Sequence, residues 1–315
     1  MKNYTLLSLL LLPFFLYSQQ ENTIKEVPID SVSFHKIILK GFPDFLAADG
    51  NDMWVLNKNK VEKLSANNQK PRLTVNIPGA CGAMLVGFNS LWVASCKKQS
   101  VYRINKNSGK IMAVVKCGIA DLSGEISLAA GDGSVWILSD KQGILTRISP
   151  QTNTIEAQIP VLPDSYCAVF GFNAVWVSNT NNNSVQRIDP ETNRVIATIP
   201  VGNWPRFLAA GEKGVWTLNQ KDGTVSHINP DSNKVVSAID TKVPGSGGDI
   251  AAGGGYVWVR STKGRLLQAI NPLSDSVETI YTPVAGSGAV RVSEKYVWVT
   301  AHDINTIWIL NRQKL

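Results

Sequence analysis

Seven tryptophans recur along this chain within one short apolar pattern. It reads "MWVLN" at Trp54, "LWVAS" at Trp92, "VWILS" at Trp136, "VWVSN" at Trp176, "VWTLN" at Trp216, "VWVRS" at Trp258 and "VWVTA" at Trp298. Their mean spacing is about 41 residues, which suits a blade of four strands of ~5–6 residues with short connections. A strand A precedes each Trp ("FLAAD", "MLVGF", "SLAAG", "AVFGF", "FLAAG", "DIAAG", "VRVSE"). A strand C follows it ("SVYRIN", "ILTRISP", "SVQRIDP"), then a β-branched strand D such as "RVIATIPV". The expected fold is an all-β seven-bladed propeller with four-stranded blades.

The A–B connection has the same length in every repeat, and constant hairpin length fixes register. The residue six before each Trp should therefore oppose the residue one before it. By extension, the residue eleven before should oppose the one four after. Strand B is apolar on both sides, as expected of a mid-blade strand covered by both neighbouring blades. The tryptophans accordingly read as packing between blades rather than as a cofactor box.

The last repeat supplies strands A, B and C, and then the sequence ends at Leu315. The segment "SVSFHKIILK" (31–40) has no blade of its own and is expected to supply strand D of blade 7. Such closure leaves no open edge in the ring. Residues 19–30 are then expected to be a disordered lead-in, and 31–315 the propeller.

The first 18 residues are not propeller. Lys2 precedes "LLSLLLLPFFLYS", too short for a stable anchor and ending at the small residue Ser18. This reads as a cleaved secretory signal. No other apolar run approaches ~18 residues, so no membrane-spanning helix is expected. The expected location is periplasmic or secreted, and the expected state is a monomer. The net charge of +7 is scattered over turns without a run of five like charges, which argues for a solvated basic surface and against nucleic acid. Four Cys in an exported chain suggest oxidising conditions and allow three pairings. The repeat register selects one. Cys81 lies eleven before Trp92 and Cys96 four after it, which makes them cross-strand partners. Cys117 ends an outer strand and Cys167 begins an inner one, too far apart to bond each other.

The blade pattern "VWVSN…NSVQRIDPETNRVIATIPVG" resembles the YVTN-type repeat of exported seven-bladed propellers. It is also similar to the broader group that includes virginiamycin B lyase. That resemblance implies the fold over 31–315. For the lyase it would also imply a metal held by Glu and a His acting as base. The position three after each Trp instead holds Asn57, Ser95, Ser139, Asn179, Asn219, Ser261 and Ala301. Only His302 lies at a comparable strand end, so the lyase site is not carried over residue by residue.

Function on a repeat scaffold sits in unrepeated loops. Here these are the B–C and D–A connections on one face, called the top. The fixed register sets Pro205 against Gln220, Arg206 against Asn219, Glu125 against Asp140 and Ser287 against His302. Asp44, Tyr166 and Asp249 begin their strands at similar height, and Trp204 stands on a loop beside Arg206. Trp204, Arg206, Asn219, Gln220, Asp249, Tyr166 and Asp44 are thus the candidate binding set, for a small polar or glycan-like ligand. An alternative use of Arg206 and Asp249 is a salt bridge between blades 5 and 6. Glu125, Asp140 and His302 are the candidate acids and bases for a lyase- or hydrolase-type enzyme. Glu125 and Asp140 could share a proton or a hard cation, or simply be solvated. His35 and His227 read as structural; His227 stands where other blades carry Arg103, Arg147 and Arg187. No CxxC, HExxH, GxSxG or phosphate loop is present, so no cofactor is expected. A third reading is a protein-interaction scaffold.

Overall fold

A computed structural model describes residues 24–122, 127–242, 247–261, 265–283 and 285–315. It contains seven antiparallel sheets of four strands, one of which gains a fifth. Blade 5 illustrates the unit: Pro205–Gly211, Gly214–Asn219, Thr224–Asn229 and Lys234–Asp240, in spatial order. The inner strand of each blade contacts that of the next, and the inner strand of blade 7 contacts that of blade 1, which closes the ring. These inner strands carry Ala, Leu and Val, and they surround a channel of about 310 Å³. Small side chains are needed where seven strands converge.

Burial follows strand position. In blade 4 every residue of strand B (Ala174–Asn179) is buried, because blades cover both of its faces. Strand D (Arg194–Pro200) alternates between exposed and covered, as an outer strand with one wet face must. All seven tryptophans are buried between blades. Five of them donate Nε1–H to the carbonyl of a glycine five residues earlier, for example Trp92 to Gly87 at 3.1 Å and Trp216 to Gly211 at 3.0 Å. This bond fastens strand B to the start of its own hairpin and satisfies a buried donor. The signal was a glycine at the first hairpin position in five repeats, and sequence reasoning passed over it.

The expected closure is present. Strand β2 (Ser33–Ile38) pairs antiparallel with Thr306–Asn311 and completes blade 7. The expected lead-in is corrected in part. Strand β1 (Lys25–Pro28) pairs parallel with Ser276–Thr282 on the outer edge of blade 6, and a helical turn (Ile29–Val32) carries the chain to blade 7. Val27 and Ile29 are buried there against Trp308 and Leu310, and Trp308 Nε1 donates to Asp30 at 2.8 Å. Strand pairing, these two buried side chains and the bond to Asp30 hold a segment that is left over once 31–40 is assigned to blade 7.

Register near the hairpins is as expected, with Ala48 opposite Met53, Ala210 opposite Val215 and Val292 opposite Val297. At the top it slips. Pro205 opposes Asn219, not Gln220, through a bulge before Leu208, and Arg206 is consequently not the partner of Asn219. Pro43 and Asn57 repeat the arrangement. The inner strands of blades 2 and 4 also shift register at this end, at Ala80 and Ser165, so the bulge belongs to the top of the inner strand and proline, which has no N–H for the ladder, is tolerated there.

Candidate functional site

The bulges decide what reaches the top. Asn57, Asn179 and Asn219, three after their tryptophans, are fully buried. Asn57 accepts the N–H of Phe42 at 2.6 Å and donates to the carbonyl of Lys40 at 3.0 Å. Asn219 donates to Thr224 Oγ1 at 3.0 Å and Ser226 Oγ at 2.9 Å. Gln220 is 2% exposed, and its main-chain N–H donates to the carbonyl of Trp204 at 3.0 Å. Both side chains are thus buried beneath the loops, Asn219 fastening its strand to the next through its amide and Gln220 fastening the Trp204 loop through its main chain.

Asp249 is also withdrawn. It is 2% exposed, accepts the N–H of Ile250 at 2.9 Å and of Val290 at 3.1 Å, and forms an ion pair with Arg291 of blade 7. Burial raises its pKa, against the attraction of Arg291 and these hydrogen bonds. The partner expected for a structural role was Arg206 of blade 5; the observed one is on the opposite neighbour. Asp44 is half-buried at the seam of blades 7 and 1, where its carbonyl accepts from Thr300 Oγ1 at 3.0 Å. Near it, Arg260 is fully buried and donates through Nε to the carbonyl of Thr300 at 3.0 Å. Burial pushes its guanidinium down to about 10, opposed by Asp303, Asp44 and Asp249.

Of the expected acids and bases, Asp140 and His302 can be placed, and they stand apart. Glu125 lies outside the described residues. Asp140 is exposed, and its Oδ1 accepts the N–H of Gln142 at 2.7 Å within its own turn. The imidazole of His302, in a 3-10 turn (His302–Ile304), stacks on Phe42 with centroids 3.9 Å apart. The expected pairing with Ser287 is present as a backbone bond of 3.2 Å. Asp140 belongs to blade 3 and His302 to blade 7, on different sides of the ring.

Tyr166, Arg206 and Trp204 do come together. The Arg206 guanidinium lies 4.7 Å from the Tyr166 ring centre and 5.1 Å from that of Trp204. Its Nη1 donates to Tyr166 Oη at 3.4 Å. Among the described residues no carboxylate forms an ion pair with it. Arg206 and Tyr166 edge a cavity of about 750 Å³ over blades 2 to 5. Its other walls include Gln99, Asp121, Asp140, Asp164, Thr180 and Asn181. Apart from Asp140, those residues were not singled out from sequence. Their only signal was that they stand in loops that do not repeat.

The pair Cys81–Cys96 is a disulfide, with Cα atoms 5.8 Å apart at the top of blade 2, and Cys117 and Cys167 are free and buried.

No family model matches this sequence, and no curated protein matches it. Solved structures do. Virginiamycin B lyase from Staphylococcus aureus superposes with a TM-score of 0.73 at 14% identity, over 88% of this chain and 98% of that one. A catalytically inactive histidine-to-alanine variant of that lyase, solved with quinupristin, gives 0.71 at 14% identity over the same shares. BamB from Moraxella catarrhalis gives 0.63 at 13% identity, over 86% of this chain and 85% of that one. At such identities the likeness is one of fold.

Proposed function

We propose that this propeller is an exported binding protein that takes a small polar ligand, anionic or sugar-like, in the cavity over blades 2 to 5. The observation that carries this is Arg206, a cation stacked on two aromatic rings with no carboxylate partner among the described residues. A guanidinium presents donors in a planar fork suited to carboxylates, and an aromatic face beside it suits the apolar face of a sugar ring. The surrounding Asp and Asn side chains offer acceptors for hydroxyl groups. The leader-like segment "LLSLLLLPFFLYS" and the disulfide support export. The solved relative with quinupristin supports a ligand on this kind of scaffold, and the separation of Asp140 from His302 means that these two do not act as an acid–base pair.

A panel of acidic and neutral mono- and disaccharides, followed by calorimetry, tests the reading. Acidic members should bind, and Arg206→Ala should weaken them at least about tenfold, or ~1.4 kcal/mol, with Tm nearly unchanged. Undiminished binding by the variant, or no binding across the panel, would overturn it.

A further inference from the structure

The connections of blades 1 and 2 carry five exposed lysines, Lys40, Lys58, Lys97, Lys98 and Lys116, and none forms an ion pair among the described residues. A chain of contacts makes them contiguous. Lys40 is tied to Asn57 through its carbonyl, at 3.0 Å. Asn59, between Lys58 and Lys60, accepts the N–H of Gly79 at 3.1 Å. Gly79 in turn accepts the N–H of Cys96 at 3.0 Å. Its φ is +68°, and a Cβ there would stand 2.3 Å from the Cβ of Lys97, so only glycine allows this approach. Lys116 lies opposite Ser100, whose hydroxyl donates to the carbonyl of Lys98 at 2.7 Å. Nearby, Glu62 is already held by Lys60 at 2.7 Å and by Asn57 at 2.7 Å.

Like charges gathered without counter-charges repel, and the loop that bears two of them is nonetheless pinned. Cys96, bonded to Cys81, directly precedes Lys97 and Lys98. The strip also leads somewhere. Gln99 and Gly118, joined by a 3.1 Å backbone bond, belong both to its end and to the wall of the top cavity.

We infer that this strip binds a linear acidic polysaccharide that runs from the top cavity across blades 1 and 2. This rests on the ligand reading of the cavity given above. A uronate polymer fits better than a nucleic acid for a chemical reason. Asp140 and Asp164 at the cavity would serve as acceptors for the hydroxyl groups that each uronate ring presents, whereas a DNA strand has no free hydroxyl along its backbone to offer them. The lysines supply the long-range attraction, and Arg206 the anchoring fork.

Polygalacturonate, digalacturonate, dextran and a single-stranded oligonucleotide, tested by calorimetry at about 50 and 200 mM salt, separate the possibilities. The polymer should bind more tightly than the disaccharide and lose most of that advantage at the higher salt, while dextran should not bind. The double variant K97E/K98E should weaken polymer binding at least about tenfold and leave digalacturonate binding unchanged; K97Q/K98Q should lie between. Equal polymer affinity in wild type and both variants would overturn the strip while leaving the cavity reading intact. Polymer binding without disaccharide binding, insensitive to Arg206→Ala, would instead sink the cavity reading and the path proposed from it. An oligonucleotide that binds as tightly as polygalacturonate would overturn the assignment of the polymer.

Discussion

His227 Nδ1 lies 2.9 Å from Asp275 Oδ1 across the seam between blades 5 and 6. The imidazole is also stacked on Trp216, with centroids 3.7 Å apart. At three other seams an arginine does the same work. Arg103, Arg147 and Arg187 lie over Trp92, Trp136 and Trp176 and donate to Asn153, Asn193 and Asn233 of the next blade. At the blade 1 seam Lys63 covers Trp54, while Ala269 and Ile309 stand opposite Trp258 and Trp298 in blades 6 and 7. Blades 2 to 5 thus share a latch at their bottom face, and blade 5 uses a shorter ring in place of a guanidinium.

Gly214 makes room for that ring. A Cβ at 214 would stand 2.2 Å from His227 Nε2. Gly214→Ala should therefore destabilise by about 1–3 kcal/mol through overpacking. His227→Ala should cost a similar amount by uncovering Trp216 and leaving Asp275 without its partner. The double variant should lose less than the sum of the two, because removing the ring removes the clash. Additive losses in urea denaturation would contradict this geometry.

Asp49 should make the seam of blades 1 and 2 acid-sensitive. Burial disfavours its ionised form, but hydrogen bonds from Lys106 at 2.5 Å and Lys63 at 2.6 Å outweigh this and hold its pKa below the ordinary value. A carboxyl with a lowered folded-state pKa contributes stability above its unfolded value of ~3.9. That contribution is lost as pH falls through the folded value. Asp49→Asn should lower Tm at pH 7 and narrow its deficit to the wild type below pH ~4. A deficit that stays constant across this range would show that the pair of lysines has no such effect.

The two free thiols should be inert in the native protein. Burial pushes Cys117 up to about 12 and Cys167 up to about 11, and the thiolate is the reactive form. Iodoacetamide at pH 8 should label neither, and both after denaturation. Peptide mapping without reduction should recover Cys81 linked to Cys96. Rapid native labelling, or any linkage that includes Cys117 or Cys167, would contradict the structure.

Ile29 should be a strong determinant of stability although it precedes the first blade. It is fully buried against blades 6 and 7, and Ile29→Ala should cost about 2–5 kcal/mol. A loss below about 0.5 kcal/mol, typical of a surface change, would mean that Ile29 does not pack against blades 6 and 7 as the structure has it.

The repeat carried most of the fold. Seven tryptophans at a constant hairpin distance specify blade number, strand order and register near each turn, because every blade solves the same packing problem locally. The missing fourth strand of blade 7, beside Thr306–Asn311, pointed to residues 31–40, since an unpaired edge in a closed ring is costly. The same counting pointed to the pair Cys81–Cys96, although the ladder of blade 2 shifts between Ala80 and Met84 and the disulfide bridges that irregularity rather than a ladder pair. What escaped the sequence lies where repetition ends. Bulges at Pro43 and Pro205 slip the ladder by one residue, turning Asn219 inward and leaving Arg206 to rest on Tyr166 and Trp204. Asp249 looked like a mouth residue, but Arg291, 42 positions later, claims it. Such choices depend on which side chain of a neighbouring blade arrives at the same height, and only the closed ring sets that height.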